Sequence, residues 1–210
     1  MITLYDYWRS SAAYRVRIAL NLLGLPYATV PVDLIKGEHR SPENLARNPQ
    51  GLVPTLEIDG ISLTQSLAIL EYLDEMHGAH FLPPDAPGRA RTRALAYAIA
   101  METAPVCNLS VRNYAAHNSN GGITVESWQA HFITKGLAAF EAMLDHPSTA
   151  RFCHGNGPTL PDICLVPQVY NARRLGLDIS PHRRLTAIMT ELESLPAVQA
   201  AHPDNHQPKG

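Results

Sequence analysis

A change of hydrophobic rhythm between residues 2 and 20 restricts the folds that this chain can adopt. Residues 2–5 form a short apolar run of strand-forming side chains. From Val16 onward, apolar side chains recur every three or four residues, which is the spacing of one helix face. Between the two patterns stand Ser10 and Ser11, and either one can cap the start of the helix. The segment therefore predicts a strand, a short turn and a helix.

A helix that starts at Ser10 or Ser11 has chemical consequences. Its first backbone N–H groups lack partners within the helix and lie at the positive end of the dipole, so an anion placed there is stabilised. A thiolate is such an anion, and a helix N-terminus lowers a thiol pKa from about 8.5 to roughly 3.5–7.5. No cysteine lies in this segment, so a thiolate used here must arrive on a ligand. The structural alternative is a serine that only caps a helix.

Bulk properties narrow the functional classes. The chain has 210 residues and 45% hydrophobic residues, enough for one large domain or two small ones. A net charge of -2 without a basic block gives no sign of nucleic-acid binding, and no apolar run approaches the roughly 20 residues that span a membrane. No secretory signal or metal-binding His motif is recognisable. Three separated cysteines, Cys107, Cys153 and Cys164, suit a reducing, cytoplasmic location and no metal.

The first 76 residues alternate strands and helices. Residues 27–32 read as a second strand, and Pro31 predicts a sheet edge or a bulge there because proline cannot donate to a neighbouring strand. The first strand, the helix and this strand form a βαβ unit, which should be parallel and right-handed. A short helix is expected near residues 42–46.

Asp59-Gly60, between alternating apolar residues, predicts an antiparallel hairpin. A helix should then open at Gln65-Ser66, with Ser66 as its N-cap. The order β-α-β-α-β-β-α predicts an α/β domain of thioredoxin-like type with a four-stranded mixed sheet.

Residues 77–88 are rich in proline and glycine and predict a linker between a domain at 1–80 and a domain at 89–210. Beyond the linker the strand rhythm disappears, and the second domain should be all-helical. Pro105 should kink a helical segment over residues 89–116.

The rest of the second domain also reads as helical. Thr159 and Asp162 have the spacing of a capping box, and the helix after them is too apolar for the surface. Further helices are predicted over 124–145, 182–194 and 196–201. Residues 202–210 are polar, contain two prolines and predict a disordered tail.

Several segments together resemble the zeta class of the cytosolic glutathione transferases. They are Trp8–Leu20, Val53-Pro54, Gln65–Ile69, Asn108–Ser110 and Leu165–Arg174. The resemblance implies the glutathione transferase fold and glutathione as cofactor. It also implies cis–trans isomerisation of a dicarboxylate by thiolate addition, bond rotation and elimination. Members of the class isomerise maleylacetoacetate or maleylpyruvate.

The resemblance also implies site residues. Ser10, Ser11 and Arg9 would be catalytic, with a serine donating to the thiolate. Residues implied for glutathione are Ser10, Ser11, His39, Val53, Pro54 in the cis form, Gln65, Ser66 and Asn108, with Lys36 as a weaker partner. Residues implied for the substrate are Arg9, Arg174, Ser110 and Arg112. Arg173 is an alternative to Arg174, because neighbouring helical residues point about 100° apart.

Two departures from the class pattern bear on activity. Ala12 replaces the usual cysteine after the serine pair, which disfavours dehalogenating side reactions, and Ala104 replaces a usual glutamine. Leu109 and Ser110 stand where maleylpyruvate enzymes carry arginines, which favours maleylacetoacetate as the substrate.

Other functions remain open at this stage. The alternatives are a maleylpyruvate isomerase, a transferase that conjugates glutathione to an electrophile, and a non-catalytic binding module with the same fold. The resemblance further implies a homodimer, with no nucleic-acid or membrane partner.

Overall fold

A computed structural model describes residues 1–208, and the chain divides into two compact units. The first unit contains residues 1–81 together with the segment from Ser194 onward, and the second contains residues 82–193. The first is α/β and the second is helical, as the sequence predicts.

The sheet of the first unit has the strand order β2-β1-β3-β4. The strands are β1 (Ile2–Asp6), β2 (Tyr27–Pro31), β3 (Thr55–Ile58) and β4 (Ile61–Thr64). Strands β1 and β2 are parallel, whereas β1 with β3 and β3 with β4 are antiparallel, so the predicted mixed sheet is confirmed. Strand β2 lies at an edge and ends at Pro31, where the missing N–H costs no internal sheet bond.

Three helices complete the α/β part of this unit: α1 (Ser11–Leu22), α2 (Pro42–Arg47) and α3 (Ser66–His77). Helix α1 buries Val16, Ala19 and Leu20, three of the four residues at the predicted three-and-four spacing, whereas the fourth, Leu23, is the C-cap and is half-buried. The hairpin between β3 and β4 turns at Asp59 and Gly60, whose φ values of 53° and 80° suit the two-residue turns of tight hairpins.

The second unit contains α4 (Ala86–Tyr97), α5 (Ala104–Val106), α6 (Leu109–His117), α7 (Val125–Met143), α8 (Leu160–Arg174) and α9 (Arg183–Glu193). A π-helical segment, Ala98–Thr103, joins α4 to α5. Pro105 lies just after it and lacks the N–H that would continue the helical ladder, and α6 is bent by 43° from the preceding helix. The predicted interruption is therefore present, and it extends on both sides of the proline.

Helix α8 is the core helix of the second unit, as predicted from its apolar sequence. Its capping box is confirmed, and the Asp162 carboxylate is fully buried. The carboxylate accepts from the backbone N–H of Thr159 at 2.8 Å, from the Thr159 hydroxyl at 2.5 Å and from the N–H of Cys153 at 2.9 Å. Burial raises the pKa of Asp162, although these donors oppose the rise.

The C-terminal segment corrects two predictions. Residues from Ser194 onward pack with the first unit rather than completing a helical domain at 89–210, and α10 (Pro196–Ala200) contacts α1. The predicted disorder of the tail is wrong for residues 203–205, which form a 3₁₀ turn with Pro203 buried. Residues 209 and 210 lie outside the described residues. The polar sequence did not indicate this packing, because the packing depends on contacts to residues far away in the chain.

Within residues 1–208, no single helix is long and apolar enough to cross a membrane. The bent pair Ala86–Val106 and Leu109–His117 meets the length and composition test only when the two are taken together.

Candidate active site

Helix α1 begins immediately after a tight turn. The Ser10 N–H donates to the Tyr7 carbonyl at 2.7 Å, and the Ser10 hydroxyl accepts from the Ala13 N–H at 3.3 Å. Ser10 is therefore the N-cap and Ser11 the first helical residue, which decides between the two predicted caps. The first turn of α1 contains no acidic side chain. The positive end of this helix is thus not neutralised by the chain's own first turn.

A buried ion pair stabilises this turn. Arg17 is fully buried, and its Nη1 lies 2.6 Å from Asp6 Oδ2. The same guanidinium donates to the Trp8 carbonyl at 2.9 Å and to the Ala201 carbonyl at 3.1 Å. Burial raises the pKa of Asp6, although Arg17 opposes the rise. Arg17 thus ties the end of β1, the turn and the C-terminal segment together.

Sequence reasoning did not identify Arg17 and Asp6 as parts of the site. The available signal was an arginine between Val16 and Ile18 on a helix with a strongly apolar sequence. A charged residue buried at such a position needs a partner of opposite charge.

Arg9, which the resemblance implies for the substrate, lies in the turn before Ser10. Its guanidinium carbon is 4.8 Å from the centre of the Trp8 ring, and its Nη2 donates to the Tyr7 hydroxyl at 3.2 Å. The cation is therefore held by two aromatic neighbours in the turn before Ser10.

Polar side chains also cluster at the start of α3, in the first unit. Gln65, with a φ of 68°, is the cap residue, so the prediction of Ser66 as the cap is wrong by one position. Ser66 is buried, and its hydroxyl accepts from Arg15 Nη1 at 3.2 Å, while Gln65 Nε2 donates to Gln50 Oε1 at 2.6 Å. Backbone N–H groups at a helix start, with a buried arginine beside them, suit a carboxylate.

The other predicted glutathione residues of this unit lie before β3. The Val53–Pro54 peptide bond is cis, as the resemblance implies. Burial and the charge of Arg40 lower the pKa of His39, so the neutral imidazole dominates at neutral pH. Lys36 is exposed and lies 3.8 Å from Asp33.

The predicted residues of α6 do not share one face. Asn108 is the N-cap of α6, and Arg112 follows it by four residues, so these two lie on the same side. Ser110 is two residues from each and points about 200° away. Arg112 Nη1 donates to Gln129 Oε1 at 2.5 Å, which holds the guanidinium against α7.

The two arginines that end α8 have different surroundings. Arg173 forms an ion pair with Glu193. Within residues 1–208, Arg174 makes no hydrogen bond or ion pair. Arg174 is thus the residue of the pair whose guanidinium is open to an external anion. No group of three or more His, Cys, Asp or Glu side chains within the described part of the chain could hold a metal ion.

Known proteins resemble this chain in sequence and in structure. Residues 1–75 match the family model for the glutathione S-transferase N-terminal domain. A Rhizobium meliloti protein named maleylacetoacetate isomerase is 57% identical over 98% of this chain and 97% of its own length.

Two solved structures are similar over almost their whole length. A maleyl pyruvate isomerase, described as a bacterial zeta-class glutathione S-transferase, has a TM-score of 0.93 at 38% identity and covers 99% of this chain and 100% of its own. A maleylacetoacetate isomerase from Methylobacterium extorquens, with bound malonate and glutathione, has a TM-score of 0.91 at 40% identity over 98% of each chain. The chain therefore belongs to the zeta class of the glutathione transferase family.

Proposed function

We propose that this protein is a glutathione-dependent cis–trans isomerase that converts maleylacetoacetate to fumarylacetoacetate. One observation carries the proposal: a serine-capped helix start with no acid in its first turn directly follows Arg9, whose guanidinium is held by Tyr7 and Trp8. The 57% identity to a protein named maleylacetoacetate isomerase supports the choice of substrate.

The residues of the first unit fit glutathione. The start of α3, with Ser66 and the buried Arg15 beside it, suits the γ-glutamyl carboxylate, and the main chain of Val53 before cis-Pro54 suits the cysteinyl part. When bound, glutathione supplies a thiolate that adds reversibly to the cis double bond and so permits rotation. His39, neutral at neutral pH, would donate a hydrogen bond near the glycine end rather than act as a cation.

Ser10 is the better candidate for the thiolate donor. Its oxygen already accepts from the Ala13 N–H, so the hydroxyl hydrogen is directed elsewhere and can be donated to an anion. Ser11, the first helical residue, would add its backbone N–H at the positive end of the dipole.

Two arginines are proposed to bind the substrate's carboxylates, because a guanidinium offers two parallel donors to a carboxylate. Arg9 would bind one carboxylate and Arg174 the other. We prefer Arg174 to Arg173 because Arg173 already forms an ion pair with Glu193. Ser110 and Arg112 are secondary candidates for the substrate, and the contact of Arg112 with Gln129 makes it a weaker one. Asn108 is proposed for glutathione.

Maleylpyruvate is the second candidate substrate, since a maleyl pyruvate isomerase has the same fold at 38% identity. Leu109 and Ser110, in place of arginines, favour maleylacetoacetate. Conjugation of glutathione to an electrophile is compatible with the same thiolate site. A non-catalytic module would not need that site.

We further propose that the protein is a cytoplasmic homodimer. The three free cysteines support the cytoplasmic location, and the usual dimeric state of the family supports the homodimer.

The test is glutathione-dependent isomerisation of maleylacetoacetate and maleylpyruvate with catalytic amounts of glutathione. We expect rapid turnover of maleylacetoacetate, a large loss in Arg174→Ala, and near wild-type rates in Arg173→Ala. The second variant is a matched control, because it removes a neighbouring arginine whose exposed ion pair contributes about 0–1 kcal/mol. No turnover of either acid by an enzyme that still binds glutathione would contradict the proposal.

A further inference from the structure

Three consecutive residues, Tyr7, Trp8 and Arg9, form the turn that precedes the Ser10 cap. The turn is closed by the hydrogen bond from the Ser10 N–H to the Tyr7 carbonyl. The buried Arg17 holds the Trp8 carbonyl from the other side at 2.9 Å. Two hydrogen bonds, at the Tyr7 and Trp8 carbonyls, therefore hold the backbone that carries these three side chains.

The Arg9 side chain is fixed as well. One face of its guanidinium lies over the Trp8 ring, 4.8 Å from the ring centre, and Nη2 donates to the Tyr7 hydroxyl oxygen at 3.2 Å. All three side chains are half-buried. A long, flexible cation held by two aromatic neighbours loses less side-chain entropy when it binds an anion.

The direction of this hydrogen bond determines what Tyr7 can do. The Tyr7 oxygen accepts from Arg9, so its own hydrogen cannot point at the guanidinium and must be donated elsewhere. An anion bound to Arg9 beside the Tyr7 hydroxyl would lie within reach of that hydrogen. A carboxylate at this place would receive charge-assisted bonds from Arg9 and a further bond from the hydroxyl.

We infer that Tyr7 is a specificity-determining residue, which orients Arg9 and donates its hydroxyl hydrogen to one carboxylate of the substrate, with Trp8 as the supporting surface. This inference rests on the proposed function, because it deepens the role given to Arg9. It predicts selective recognition of carboxylates, separate from the binding of glutathione.

The test is the variant Tyr7→Phe, with Tyr5→Phe as a matched control. Tyr5 also carries a hydroxyl in a hydrogen bond, to Glu57 at 3.1 Å, two residues earlier in the chain. For Tyr7→Phe we expect KM for the dicarboxylate to rise about tenfold, with kcat within about twofold. Tenfold corresponds to about 1.4 kcal/mol, the scale of one hydrogen bond to a charged group. Tyr5→Phe should match the wild type.

Two further measurements separate recognition from a disturbed turn. The inhibition constant of malonate, measured against conjugation of glutathione to an uncharged electrophile, should rise in parallel with KM in Tyr7→Phe. The conjugation rate itself and the glutathione affinity should not change. In Arg9→Lys, adding Tyr7→Phe should have little further effect, because the hydroxyl acts together with the guanidinium.

Unchanged KM and malonate inhibition in Tyr7→Phe would overturn the inference, and so would an equal loss of conjugation activity. If the wild type isomerises neither acid, the proposed function fails, and malonate inhibition alone decides the role of Tyr7. If malonate does not inhibit the wild type, Arg9 and Tyr7 form no carboxylate site and the inference fails.

Discussion

Helices α1 and α8 both begin with a hydroxyl residue in extended conformation, yet the positive ends of the two helices are treated differently. Helix α8 has Asp162 at its third position, and this buried carboxylate accepts three hydrogen bonds. Helix α1 has Ala13 at the same position and no acid in its first turn. One helix start carries an internal anion, whereas the other has none.

This difference distinguishes the structural start of α8 from the start of α1, for which we propose a function. Asp162 uses the N-terminal donors of α8 to join the helix to the loop at Cys153. In α1 the Ser10 hydroxyl binds only the Ala13 N–H. The buried Arg17, which lies one helical turn after Ala13, donates to the Trp8 carbonyl in the segment before the cap. The stabilisation that α8 obtains from its own carboxylate is thus provided around α1 by other groups, so that a ligand anion can be stabilised at its start.

The largest expected effect is the loss of the internal anion. Asp162→Ala leaves the buried N–H groups of Thr159 and Cys153 without their acceptor, at about 1–3 kcal/mol each. We expect the second unit to lose about 3–5 kcal/mol in free energy of unfolding, measured by urea denaturation. Asp178→Ala is the control, because Asp178 is exposed and accepts from the Ser180 N–H in a surface turn. A loss below about 1 kcal/mol in Asp162→Ala would contradict the comparison.

The corresponding change in α1 should affect chemistry more than stability. Ser10→Ala removes one cap hydrogen bond, which costs about 1 kcal/mol of unfolding free energy. It also removes the donor that we propose for the thiolate, so we expect kcat/KM for isomerisation to fall about 100-fold, equivalent to about 2.7 kcal/mol. Ser11→Ala is the comparison variant and should lose less. Equal losses in the two variants would show that Ser10 has no special role.

Both helix starts could be predicted from the sequence, because caps depend on residues three or four positions apart. The same holds for the hairpin at Asp59-Gly60 and for the strand–helix rhythm around α1. The departure at Gln65 shows the usual limit of such predictions, an error of one residue in the position of a cap.

What the sequence could not reveal depends on distant contacts. Arg17 donates to Ala201, which lies 184 residues further along the chain and directly precedes the tail whose polar composition predicted disorder. The ion pair of Arg173 with Glu193 spans 20 residues, and it is the reason why we propose Arg174 rather than Arg173 for the substrate. No local pattern contains either partner.

An anion placed in the first turn of α1 tests whether the absence of an acid there matters for the pKa of a bound thiol. Ala12→Glu puts a carboxylate at the second helical position, where it stabilises the helix by about 0.3–1 kcal/mol. The same charge should repel a bound thiolate and raise its pKa by about one unit, which is about 1.4 kcal/mol. The thiolate absorbance of the glutathione complex as a function of pH measures this shift. Ala12→Gln, of similar size but uncharged, should leave the pKa unchanged.

The smallest expected effect is a pH dependence of stability that arises from two histidines, one in each unit, each of which lies near an arginine. Arg91 lies 3.3 Å from His154 Nδ1, next to the loop that Asp162 holds, and burial together with Arg91 lowers the pKa of His154. Burial together with Arg17 likewise lowers the pKa of His206. As the pH falls through about 6.5, the unfolded chain takes up these protons before the folded protein does, so stability decreases. We therefore expect unfolding free energy to fall between about pH 8 and pH 5.

The variants His154→Gln and His206→Gln test this dependence one unit at a time. Each should make the slope of unfolding free energy against pH shallower, and the double variant should make it shallower still, because the two groups belong to different units. Urea titrations at several pH values measure the slopes. If His154→Gln leaves the slope unchanged, His154 gains its proton equally well in the folded and unfolded states, and the Arg91 contact does not restrain it. If only His206→Gln acts, the electrostatic restraint is confined to the α1 side, and the α8 start is held by its hydrogen bonds alone.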